Sequence, residues 1–198
     1  CIEKLGKRPL EFMESVDWVG DDVWYAHGIH FNDEELKLLK ETGTGIAHCP
    51  VSNMKLASGV CRLPEMLNMG INVGLAVDGS ASNDGSNLLA EIRSAYLLHR
   101  LNSSNKAPSG YDILKTATKG SASVLGRTDI GELGIGKAAD FFVIDSNGLD
   151  MVGTFTDPAN LIATTGYNKP ADNGRRIAGK YQSGQTACRL LKIRLGFC

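Results

Sequence analysis

Ile71-Asn72-Val73-Gly74-Leu75-Ala76-Val77-Asp78-Gly79-Ser80-Ala81-Ser82-Asn83-Asp84-Gly85 is the stretch on which the fold turns. A mostly apolar, β-prone run ends in a carboxylate, and a loop of glycine, serine and asparagine carries the chain onward. Ser86 to Leu101 then sets Leu88, Ile92, Ala95 and His99 on one face of a helix. The same unit recurs upstream. Gly45-Ile46-Ala47-His48-Cys49 reads as a strand, and a Pro-, Asn- and Gly-containing loop leads from it to a helix from Leu63 to Met69 that stops at Gly70. Before it, Val23-Trp24-Tyr25-Ala26-His27 is a strand followed by a helix from Asp33, which caps it, to Lys40. Successive strand-helix units imply an α/β fold with parallel strands and crossover helices, either a β/α barrel or a doubly wound sheet.

Further out the patterns change. Glu3 to Asp17 has helical spacing interrupted at Pro9, and helical segments are expected around Tyr111 to Ala117 and Ser121 to Leu125. Residues 130–185 are rich in glycine and β-formers, including Phe141-Phe142-Val143-Ile144-Asp145. A boundary near 128 therefore divides strand-helix units at 1–128 from a small β unit at 129–198. A chain of 198 residues is shorter than the roughly 250 of a complete eight-stranded β/α barrel. It opens on Cys1, directly in helix-like sequence, so the expectation is that it begins inside a longer protein.

With 42% apolar and 22% charged residues and a net charge of −1, the composition is that of a globular protein without a polyanion-binding surface. Nucleic acid and membrane surfaces are therefore not expected partners, and a small-molecule ligand is. No run approaches the roughly 18 apolar residues of a membrane span and no signal-peptide layout is present, so the chain reads as cytoplasmic. Five widely spaced cysteines without a CxxC pair argue against a disulfide framework or a thiolate zinc site.

The chemistry lies in position. His27, His48 and Asp78 each stand at or next to the carboxy-terminal end of a strand, 21 and 30 residues apart. Parallel strands gather such ends on one face. Imidazole and carboxylate side chains meeting there suit metal-assisted hydrolysis, because a bound metal lowers the pKa of its water from 15.7 to about 7. Asp78 could instead cap the next helix, although Asp84 or Ser86 is better placed for that. His27 could simply bond a neighbouring carbonyl. His48 could bind substrate, orient a neighbour or pack; His30 reads as a loop residue and His99 as structural.

Three segments together carry a resemblance. Ala26-His27-Gly28-Ile29-His30-Phe31, His48-Cys49-Pro50-Val51-Ser52-Asn53-Met54-Lys55-Leu56 and Gly74-Leu75-Ala76-Val77-Asp78-Gly79-Ser80-Ala81-Ser82-Asn83 resemble, in order, the last barrel segments of the amidohydrolase superfamily. The branch is the one holding guanine, cytosine, 8-oxoguanine and hydroxytriazine aminohydrolases. Gly131-Glu132-Leu133 and Gly136-Lys137-Ala138-Ala139-Asp140 are similar to that family's return to its small β domain.

The resemblance implies the carboxy-terminal portion of a TIM-like β/α barrel plus part of a small β-sandwich domain. It implies a divalent metal, zinc or else iron, with Asp78 as a ligand that also accepts a proton from the bound water. His27 would polarise the substrate, and His48 and Asn53 would shape its pocket. The activity implied is hydrolytic deamination of an amino-substituted ring, 8-oxoguanine to urate and ammonia or a hydroxytriazine, by a homo-oligomer when full length. The family's first-strand His-x-His pair and fifth-strand His, with a Glu three residues on, would lie upstream of residue 1. A chain lacking them would be a non-catalytic fragment. Gly120-Ser121-Ala122 stands where Gly-Gly-Ala is usual, and the tail from Asn168 departs from the family pattern.

Overall fold

The computed structural model describes residues 1–141, 157 and 160–165. Its sheet has three parallel strands in the order β1 (Trp24–Ala26), β2 (Gly45–His48) and β3 (Val73–Leu75). Trp24 pairs with Gly45 and Ala26 with Ala47, while Ile46 pairs with Val73 and His48 with Leu75. Every residue of β2 and β3 is buried, as expected of strands covered on both faces, whereas Trp24 and Ala26 of β1 are exposed.

Pro9 divides the amino-terminal helical stretch into α1 (Ile2–Leu5) and α2 (Pro9–Glu14), because a proline ring fits the first turn of a helix and not its interior. Arg8 then anchors this stretch, donating to both carboxylate oxygens of Glu35 at 2.9 and 2.8 Å and to the His30 carbonyl at 2.8 Å. The helix after β1, α3 (Asp33–Thr42), is capped by Asn32, one residue before the expected cap Asp33. Asn32 accepts the Glu35 N–H at 2.8 Å and Glu35 returns the bond to the Asn32 N–H, a reciprocal cap that Asp33 does not make.

After β2 comes α4 (Pro50–Lys55), a helix in a stretch expected to be loop. Then α5 (Leu63–Met69) ends at Gly70 as expected. The helix after β3, α6 (Leu88–Ser103), is capped by Asn87, whose side chain accepts from Leu89 and Ala90. A 3-10 turn leads to α7 (Gly110–Lys115), which runs through a π turn at Thr116–Gly120 into α8 (Ser121–Val124). A short helix, α9 (Leu161–Thr165), lies within the stretch read as a β unit and packs on α6 and α7. The Phe142 to Asp145 part of the expected strand lies outside the described residues.

One core unites these elements. Leu36 and Leu39 of α3, Ile46, Leu63, Met66, Val73, Leu75, Ile92, Ala95, Ile113 and Ala163 form a single buried cluster with Leu10. The outer edge of β3 is covered by the π turn and α8, whose backbone lies close against Val73 and Gly74. The Ser121 hydroxyl takes the Leu75 N–H at 3.0 Å and lies 3.2 Å from the Leu75 carbonyl. Among the described residues no strand pairs with the outer edge of β1.

Candidate active site

Parallel strands end on one side, so His27 just past β1, His48 at the end of β2 and Asp78 three residues beyond β3 share a face of the sheet. Two of the three meet. His27 Nε2 stands 3.9 Å from Asp78 Oδ2, across the end of the middle strand. That is too far for a direct hydrogen bond, and the two side chains, 38% and 30% exposed, face a shared space open to solvent.

Both residues leave their strands with positive φ, 71° at His27 and 65° at Asp78. For a residue with a Cβ this region costs roughly 1–2 kcal/mol. Such strain persists where the surroundings over-determine the backbone, typically around functional groups. At His27 the N–H bonds the Ala47 carbonyl at 2.8 Å, and the following N–H, that of Gly28, folds back onto Ala26 at 2.9 Å. Gly28 also has positive φ, and a Cβ there would come within 2.7 Å of Ile46 Cγ2, so only glycine turns this tightly over β2.

The partners of the pair come from α4 and from the loop after β3. Pro50 opens α4 and places Ser52 and Asn53 over the strand ends. Ser52 Oγ donates to Asp78 Oδ2 at 2.5 Å, and Ser82 Oγ donates to the same oxygen at 2.8 Å. Ser52 above all, with the Gly79 backbone and Ser82, holds the Asp78 carboxyl down at about 2 against the usual 3.8. The group is therefore ionised at neutral pH, and its Oδ1 takes neither hydroxyl. A carboxylate in this state is a suitable ligand for a divalent metal.

Asn53 Oδ1 accepts from His27 Nδ1 at 2.9 Å. With that proton engaged, the lone pair of the neutral ring sits on Nε2, the nitrogen that faces Asp78. Asn53 is 1% exposed, and its Nδ2 has no partner among the described residues.

His48 lies behind this pair rather than in it. Its ring is fully buried, with Nε2 3.2 Å from Nε2 of His99 and the ring centroids 5.3 Å apart. Burial first, then the neighbouring His99 and His27, pushes His48 down to about 3, and burial pushes His99 down to about 4. Both rings are neutral at pH 7. Cys49, next to His48, is buried too, and its thiol is pushed up to about 11, chiefly by burial, which makes it inert as a nucleophile.

Among the described residues no three His, Cys, Asp or Glu side chains gather in a way that could hold a metal ion. The donor chemistry of Asp78, with His27 beside it, fits one corner of such a site and does not complete it.

A profile of the Amidohydrolase family matches residues 1–173. The chain belongs to the amidohydrolase family. It is 47% identical over 162 residues to the 8-oxoguanine deaminase of Pseudomonas aeruginosa, an alignment covering 82% of this chain and 36% of that protein. It is 43% identical over 174 residues to the hydroxydechloroatrazine ethylaminohydrolase of Pseudomonas sp. strain ADP, covering 86% and 36%. The structure of an atrazine chlorohydrolase from Arthrobacter aurescens TC1 complexed with zinc matches with a TM-score of 0.79 at 38% identity, over 82% of this chain and 36% of that one. An adenosine deaminase from Xanthomonas campestris with bound zinc matches with the same TM-score, 0.79, at 30% identity, over 82% and 37%. The amidohydrolase chain thus spans about a third of the length of the curated relatives it matches.

Several residues around the amidohydrolase pair were not singled out from sequence. Ser52 and Ser82 lie within the motifs, and for Ser82 a hydroxyl four residues after a strand-end Asp is a local signal. Asn83 lies in the same motif as Ser82, whereas Glu91 carries no local signal, because its contact with Asn83 joins the loop to the buried face of α6.

Proposed function

We propose that the intact protein carrying this amidohydrolase chain catalyses metal-dependent hydrolytic deamination of an amino-substituted aromatic ring, with 8-oxoguanine converted to urate and ammonia. The carrying observation is the approach of His27 Nε2 to Asp78 Oδ2, 3.9 Å, across the ends of parallel strands. In this reading β1 to β3 are the last three strands of a TIM-like barrel at 1–128, and 129–198 is the return to a small β domain.

A divalent metal, zinc in this reading with iron as the other choice, would supply an acidified water for attack on the amine-bearing ring carbon. Asp78 would be one of its ligands and would take the proton that water gives up. His27, fixed at Nδ1 by Asn53, presents Nε2 to the substrate, where it can gain a proton and hold it against the ring. Water adds to the carbon, the carbon–nitrogen bond breaks, and the amine leaves as ammonia once protonated. Asn53 and His48 support the pocket floor from α4 and the end of β2. The likeness to the Pseudomonas aeruginosa enzyme supports an oxopurine substrate, and that to the ethylaminohydrolase supports a hydroxytriazine as the second choice.

The test is ammonia release by zinc-loaded intact protein with 8-oxoguanine, guanine and hydroxytriazines. The expected order places 8-oxoguanine first, with Asp78→Asn and His27→Gln each lowering kcat/KM by about 10²–10⁴-fold. A protein that binds zinc and releases no ammonia from any of these compounds would end the proposal.

A further inference from the structure

Glu91 is a buried acid without a counter-charge. It is 1% exposed, and among the described residues no cation forms an ion pair with it. A carboxylate in that setting is costly unless hydrogen bonds satisfy it. Its two oxygens are satisfied by two different segments. Oε1 accepts from Asn83 Nδ2 at 2.5 Å, and Oε2 accepts from the Val51 N–H at 3.1 Å.

Each of those partners leads to the site. The Asn83 side chain also donates to the Val77 carbonyl at 2.6 Å, while its backbone N–H donates to the Gly79 carbonyl at 2.9 Å. Asn83 therefore grips the backbone on both sides of Asp78, and Glu91 grips Asn83. Val51 immediately precedes Ser52 and Asn53, the side chains that meet Asp78 and His27. One carboxylate on α6 thus ties together the two segments that supply Ser52, Ser82 and Asn53, the side-chain hydrogen-bond partners of the pair.

We propose that Glu91 is a positioning residue, one that sets the relation of His27 to Asp78 by locking the loop after β3 onto the first turn of α4. It touches no reacting atom. The proposal rests on reading His27 and Asp78 as the working pair. A role limited to seating α6 in the core would cost stability and leave the His27–Asn53 bond as it is.

The test uses Glu91→Gln, which keeps the shape but has one acceptor oxygen where two donors need one each. In the 198-residue chain the ¹⁵N spectrum of the histidine side chains at pH 8 reports the His27 tautomer. The expectation is an Nδ1-protonated ring in the wild type and a mixture of tautomers in Glu91→Gln. In the intact protein the variant is expected to bind zinc about 10–100-fold more weakly. kcat should fall at least about tenfold with KM within about twofold, a pattern marking an interaction that matters in the transition state. Asn83→Ala should reproduce these effects, and the double variant should be little worse than either, since both cut one connection. Where Glu91→Gln does not fold, Asn83→Ala carries the same measurements. Folded variants with an unchanged His27 spectrum and zinc affinity within twofold of wild type would overturn the proposal. A protein that deaminates none of the compounds would sink the functional reading alone, because the tautomer readout needs no turnover.

Discussion

At Asp78 two serine hydroxyls share one carboxylate oxygen, and the closer of them comes from a helix rather than from the aspartate's own loop. Ser52→Ala is therefore expected to weaken zinc binding by the intact protein about 10–100-fold, with Ser82→Ala milder. Competition with a chromophoric chelator measures this, and equal affinities for Ser52→Ala and wild type would contradict it. Asn53→Ala should separate stability from turnover. Water can replace Asn53 at the partly exposed His27 ring, so unfolding stability should drop by only about 1 kcal/mol. kcat/KM should nevertheless fall at least about tenfold, because the ring loses its fixed tautomer; a stability loss without that fall would count against the assignment. His27 and Asp78 were legible in the sequence because a strand end is a position that local pattern can find. Ser52 and Asn53 were harder to place, since their geometry depends on α4, six residues whose content of Ser, Asn and Lys hides a helix. Pro50 at its first position was the available clue.

At the level of elements, β2 and α6 meet through His48 and His99, which stand 51 residues apart and contact each other at 3.2 Å. Nothing local could announce that contact, although placing His99 on the apolar face of its helix was enough to read it as structural. The pair makes the junction sensitive to acid. Both rings are held near 3 and 4 in the fold, below the 6.5 of a free imidazole, so the unfolded chain binds more protons than the folded one between those limits. Stability contributed by the neutral pair is thus complete above pH 6.5 and is lost as pH falls towards 4. From pH 6.5 to 5 the loss should be on the order of 2 kcal/mol for one such ring. Urea unfolding at pH 7 and pH 5 measures it, and His99→Gln should flatten the dependence. A pH-independent midpoint in the wild type would rule the pair out as its source. The strand-helix order was likewise legible, because each strand is a short apolar run and Gly70 marks the end of α5. Where the strands stop was less so: β3 keeps three residues of an apolar run of seven, since Val77 is drawn off by Asn83.

For the molecule as a whole, the described residues form one packed body around a sheet too small to close on itself. Apolar side chains remain outside it near β1, where Trp18 is 60% and Trp24 47% exposed. Together with the edge of β1, which no strand pairs among the described residues, they should make the isolated 198-residue chain self-associate, which sedimentation would show; a single monomeric boundary at tens of micromolar would contradict it. The same chain is expected to bind less than one equivalent of zinc, since Asp78 and His27 make only part of a site. The segment from Thr116 to Val124, packed on β3, then determines how far association runs. The backbone of Gly120 and Ser121 packed against Val73 and Gly74, with the Ser121 hydroxyl on Leu75, blocks one edge of the sheet, and among the described residues no strand pairs with the other, so chains of this shape can meet edge to edge once and then have nothing left to offer. One sticky end gives pairs; two give filaments.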